Sequence, residues 1–176
     1  DEITALLRRE VKPALGCTEP IAVALAVARS CELLRGEGLE PETIEVKVSG
    51  NVLKNGMGVG IPGTGRVGLH IASALAQVCG KSEYKLEVFK ELTPEAVERA
   101  KKIVDDKRIT ISVADTPLKL YVDEVVRNGD NYAQTIIRNM NDNIEFCGVN
   151  GKTVYENGAS GEGADTGSNN ADEGYV

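Results

Sequence analysis

The chain has no tryptophan, two phenylalanines, two methionines and a single histidine. Without large rings, its core must be filled by Val, Leu, Ile and Ala, and one His70 leaves no His-rich metal site. No apolar run approaches the roughly 18 residues of a membrane span; the longest, residues 21–28, suits a buried helix. No Cys-x-x-Cys pair joins Cys17, Cys31, Cys79 and Cys147, which excludes a zinc ribbon and a thioredoxin motif. Basic residues are outnumbered: the formal net charge is −7, so phosphate backbones are repelled and nucleic acid is not an expected partner. No basic, apolar leader opens the sequence, which starts Asp1-Glu2. The expectation is a cytoplasmic protein with reduced thiols and no membrane partner.

What remains is ordinary globular material. The chain's 176 residues are 41% apolar and 27% charged, enough for one core. Residues 3–12 read as a short amphipathic helix ended by Pro13, and residues 20–35 as a second helix, apolar all round in its first half and so expected to be central. Ile44, Val46 and Val48 alternate with polar residues, the pattern of a strand with one wet face. After a glycine-rich stretch with a short strand expected at 57–61, Val67, Ile71, Ala74, Leu75 and Val78 form a helical stripe closed by Gly80. Residues 84–89 read as a strand. Thr93 and Pro94 mark the start of a helix, with Glu95/Arg99 and Glu98/Lys102 spaced for ion pairs. Strands are expected at 109–114, 119–127, 132–139, 143–149 and 152–155, with hairpin turns at Asn128-Gly129-Asp130 and Asn150-Gly151. Mixed elements followed by a meander indicate an α+β fold: a mixed sheet with packed helices and a C-terminal antiparallel meander. The expected domain is 1–156. Residues 157–176 are Gly, Ser, Asn, Asp and Glu with almost nothing to bury, and read as a flexible tail or linker.

Two segments could carry chemistry. In Gly16-Cys17-Thr18-Glu19-Pro20, a cysteine precedes a helix start, where free amides favour the thiolate that binds metal; a small buried turn residue is the plainer alternative. Between Gly50 and Gly68 there are seven glycines, which cost backbone entropy and suit close approach of a ligand. Gly63-Thr64-Gly65 before a helix is a candidate anion site, with Lys54 and Arg66 able to add charge; a tight structural turn is again the alternative. Gly63 to Gly68 also spells G-x-G-x-x-G, with Glu87 and Glu91 at the spacing of a ribose ligand, so a dinucleotide-binding domain is a second reading. Pro62 and the glycines upstream count against it. His70 reads as a boundary residue, Cys31, Cys79 and Cys147 as core thiols, and Asp105-Asp106 as a solvated helix end.

Taken together, residues 11–20 and 49–65 resemble the L-cysteine desulfidase family and its iron–sulfur serine-dehydratase-like relatives, over about residues 3–156. The resemblance implies the N-terminal portion of a lyase that works without pyridoxal phosphate and converts L-cysteine to pyruvate, ammonia and sulfide, or acts on L-serine. It implies a [4Fe–4S] cluster in the complete enzyme, with an open iron as Lewis acid, and Cys17 as one metal ligand. The other two ligands would come from the remaining C-terminal region of the same protein, so this chain alone is expected to be inactive and to lack the cluster. Within it, Lys54 and Glu19 are the expected catalytic residues, and Asn51, Asn55, Gly63, Thr64 and Gly65 the expected substrate-binding ones, for a small amino acid. A homo-oligomer is possible. A non-catalytic amino-acid or anion-binding module is the further alternative.

Overall fold

A computed structural model of the chain describes residues 18–61, 64–140 and 143–156. The helix expected at 3–12, Cys17, Gly63 and the tail at 157–176 lie outside the described residues. The fold is α+β: among the described residues, four helices lie on a six-stranded mixed sheet, mostly antiparallel.

Helix α1 (Thr18–Gly36) is the centre of the molecule. Every residue from Ile21 to Ala28 is at most 3% exposed, as a helix apolar on all sides requires. It packs on strands β5 (Tyr121–Asn128), β6 (Asn131–Arg138) and β7 (Ile144–Val149) and also on helix α3 (Leu69–Cys79). Strand β1 (Thr43–Val48) sends Ile44, Val46 and Val48 into the core and leaves Thr43, Glu45 and Lys47 exposed. It pairs in parallel with β4 (Ile109–Val113) and antiparallel with β5. With β8 (Lys152–Glu156) the order is β4-β1-β5-β6-β7-β8. Both expected hairpin turns form: Gly129 has φ 59°, and Asn150 and Gly151 have φ 51° and 81°, the double positive φ that favours Asn-Gly.

Helix α4 (Pro94–Asp105) starts where the sequence indicates, with Thr93 Oγ1 accepting from Ala96 N at 3.1 Å. Its ion pairs differ from the expected ones: Glu98 meets Lys101 at 3.7 Å and Lys102 meets Asp106 at 3.5 Å. The strand expected at 84–89 is instead a 3₁₀ helix (Ser82–Glu87) with a kink at Lys85. Val88 and Phe89 are buried at its end, and burying that end of the segment against the core replaces strand pairing. Gly80 does follow α3, but with extended φ −70°. Its small size matters because a Cβ there would lie 2.8 Å from the Ala76 carbonyl oxygen.

Candidate functional site

The glycine-rich segment folds into two short units, not a loop running straight into a helix. Ser49 caps helix α2 (Gly50–Gly56), accepting from Val52 N at 3.4 Å while donating to the Lys119 carbonyl at 2.7 Å. Strands β2 (Gly60–Ile61) and β3 (Arg66–Val67) then pair antiparallel as a small hairpin, narrower than the strand expected at 57–61. Gly68 N donates to the Val59 carbonyl at 2.9 Å, and α3 begins at Leu69. Val67 therefore belongs to β3 and is exposed, not part of the α3 stripe.

This geometry removes the dinucleotide reading. That fingerprint needs a glycine turn from a parallel strand directly into a helix. Here Gly65 lies in the turn between β2 and β3, β3 intervenes, and Gly68 sits at the N-cap of α3. Glu91 follows the 3₁₀ helix instead of ending a strand.

The expected substrate-binding residues divide. Asn51, Lys54 and Asn55 lie exposed on α2, with Asn55 Nδ2 donating to Asn51 Oδ1 at 3.4 Å. Thr64 is buried, and its hydroxyl staples its own turn: it donates to the Ile61 carbonyl at 2.6 Å and accepts from Arg66 N at 2.9 Å. Gly65 has φ 69°, a conformation glycine takes freely. Arg66 pairs with Asp105 at 3.0 and 3.4 Å, at the exposed, solvated end of α4. Lys54 has no ion-pair partner among the described residues. Glu19 lies in the first turn of α1, partly buried. His70 is half-buried on α3, and burial pushes its pKa down.

Not every glycine is there for the same reason. A Cβ on Gly56 would come 2.7 Å from Leu69 Cδ2, and one on Gly68, at φ 103°, 3.1 Å from the Met57 carbonyl oxygen. Those two let α2 pack on the start of α3. By contrast, a Cβ on Gly50 or Gly58 would meet nothing within 4 Å, and one on Gly60 only Val67 Cγ1 at 3.9 Å. Neither packing nor backbone conformation within the described residues calls for glycine at these three positions.

Among the described residues the cysteines do not assemble into a cluster site. Cys31 and Cys147 are buried, Cys79 is half-buried, and no group of three or more metal-ligating side chains gathers among the described residues. Burial, reinforced by Glu124, pushes the Cys31 thiol well up, and burial with Glu91 raises Cys79, which opposes the thiolate a ligand needs. Cys17, the expected cluster ligand, lies outside the described residues, and the three described cysteines are those the sequence reads as core thiols.

Sequence reasoning passed over Glu124. It is fully buried on β5 between Val122 and Val126, with neither carboxyl oxygen hydrogen-bonded among the described residues. The alternation Val122-Glu124-Val126 was the available signal, since it places Glu124 on the core side of its strand.

Comparison with known proteins gives a consistent set of relatives. The chain is 56% identical over 137 residues to a UPF0597 protein of Bacteroides fragilis, covering 77% of this chain and 31% of that one. A UPF0597 protein of Bacteroides thetaiotaomicron is 47% identical over 156 residues, 88% of this chain and 36% of its own length. One of Oleidesulfovibrio alaskensis is 46% identical over 150 residues, 85% and 34% of the two chains. The chain spans about a third of the length of the curated relatives it matches. No family model matches the chain. No solved structure matches it. These relatives correct the resemblance to cysteine desulfidases and serine dehydratases. That resemblance rests on residues 11–20 and 49–65, whereas 44–56% identity to UPF0597 proteins runs through most of the chain. No helix among the described residues is long and apolar enough to cross a membrane.

Proposed function

We propose that this chain contributes a glycine-surfaced cradle for the carboxylate of a small amino acid, with Lys54 as its counter-charge. The observation that carries the reading is the set of three glycines, Gly50, Gly58 and Gly60, that the described fold does not itself require. Glycine is destabilising in regular structure by about 0.5–1 kcal/mol relative to alanine. Where no packing or conformation demands it, close approach of another molecule to the backbone is the physical reason for it. Lys54 and the side-chain amides of Asn51 and Asn55 sit on the same short helix and offer donors to a carboxylate.

In the whole protein, the reaction such a cradle would serve is β-elimination from L-cysteine or L-serine, a lyase activity. A general base other than Lys54, which stays protonated against the carboxylate, would take the α-proton, and the β-substituent would leave with its bonding pair. The free glycine positions and Lys54, which has no ion-pair partner among the described residues, support a carboxylate site for that reaction.

Thermal melting with L-cysteine, L-serine, sulfate and NAD tests the cradle. The amino acids should raise the melting temperature and Lys54→Gln should abolish the rise. Equal response to NAD, or no loss in Lys54→Gln, contradicts the proposal. Pyruvate release from either amino acid by the whole protein tests the reaction.

A further inference from the structure

A second cleft, sharing no lining residue with the α2–hairpin surface, lies where α1, the 3₁₀ helix and the β7–β8 end of the sheet meet. It has a volume of about 370 Å³ and is lined by Arg29, Lys85, Asn143, Ile144, Cys147 and Tyr155. The volume falls within the range of roughly 300–1,000 Å³ of small-molecule sites.

Its chemistry is one-sided. Among the described residues that line it, two are cations and none is a carboxylate, in a chain whose net charge is −7. Among the described residues Arg29 pairs with Glu32, at a long 3.5 Å. Glu32 is also engaged by the start of the 3₁₀ helix, where Ser82 donates to it through its backbone N–H at 2.9 Å and through its hydroxyl at 2.5 Å. Lys85 has no ion pair among the described residues. Tyr155 adds a phenol and a ring, and Cys147 and Ile144 supply soft apolar lining.

The backbone at Lys85 is the second observation. Its φ is 55° and its ψ −119°, a kink inside the 3₁₀ segment. A residue with a side chain adopts that region only at a cost, and glycine would take it more readily. A lysine at a position suited to glycine, with its side chain lining a cleft, is the pattern of strain held at a binding position.

We infer that this cleft binds a small organic oxyanion, a carboxylate or phosphate monoester, with its head between Arg29 and Lys85 and its body against Tyr155 and Cys147. The two heads share one chemistry, several acceptor oxygens facing charged donors.

The test is titration of the full chain with phenyl phosphate, benzoate and neutral benzyl alcohol, followed by backbone amide NMR. Using the Lys54→Gln background silences the cation of the other surface. At least one of the two anions should bind saturably, with shifts concentrated on residues 29, 85 and 143–155, and benzyl alcohol should not. Whichever anion binds more tightly identifies the head group. Arg29→Gln and Lys85→Gly should each weaken binding roughly tenfold or more, the scale of one charge-assisted hydrogen bond. Lys85→Gly relieves the kink, so it should melt no lower than its parent while binding worse. Arg29→Gln leaves the kink untouched and reads the charge alone. Binding of benzyl alcohol equal to the anions, no saturable binding of either anion, or full affinity in Arg29→Gln overturns the inference.

Discussion

Glu124 of β5 stands directly opposite Thr135 of β6, and both are fully buried on the side of the sheet that faces α1. Thr135 shares a 2.7 Å hydroxyl–hydroxyl hydrogen bond with Ser30 of α1. Burial pushes the Glu124 carboxyl pKa well up; the nearby Ser30 hydroxyl partly offsets this and Asp123 adds to it. The Ser30 hydroxyl bonds Thr135, and neither Glu124 carboxyl oxygen has a hydrogen-bond partner among the described residues.

That arrangement makes stability fall with rising pH. Below the ordinary glutamate pKa of about 4.3, folded and unfolded chains both carry the proton and the contribution is complete. Above it the unfolded chain ionises while the folded one keeps its proton, so stability drops until the raised folded pKa is passed, by at most about 1.4 kcal/mol per pH unit. Glu124→Gln removes that slope. Urea unfolding at pH 5 and 7.5 should show wild type losing more stability across the interval than the variant; parallel losses would contradict the assignment.

Ser30→Ala strips Thr135 of its partner in a dry site. The expected cost is about 1–3 kcal/mol, the penalty for a buried hydroxyl left unsatisfied. Denaturant midpoints measure it, and a double variant with Thr135→Val should recover part of the loss.

The glycines of the 50–68 segment should separate cleanly. Gly68→Ala forces a side chain into φ 103° against a carbonyl and should cost about 1–3 kcal/mol. Gly58→Ala has open space and should stay within about 0.5 kcal/mol of wild type. If both melt alike, the division of these glycines into packing positions and free ones is wrong.

Thiol reactivity should follow burial. Brief native treatment with iodoacetamide, read peptide by peptide, should modify half-buried Cys79 before fully buried Cys31.

Much of the fold was legible because its local signals agree with its packing. The apolar 21–28 run is the central helix, the Ile44-Val46-Val48 alternation is the core face of β1, and the two Asn-Gly turns set the meander. Other features were hidden by competing signals. Tyr84 and Val88 alternate like a strand, but the positive φ at Lys85 breaks the extended path. Helix α2 was obscured by the surrounding glycines, although Ser49 three residues before Val52 is a legible N-cap. At the candidate site, Lys54, Asn51 and Asn55 were legible by residue type and do share one short helix. The commitment of Arg66 to Asp105, 39 residues away, and of the Thr64 hydroxyl to its own turn depends on tertiary structure that no local pattern reports.

In the proposed site, the free glycines beside Lys54 receive an amino-acid carboxylate. The most direct test is titration of L-serine into the chain, followed by backbone amide NMR, with Gly58→Val measured alongside. Shifts should concentrate on residues 50–60 and 64–68, and should be lost in Gly58→Val while that variant keeps the wild-type melting temperature. Absence of shifts there, or undiminished binding by Gly58→Val, would contradict it.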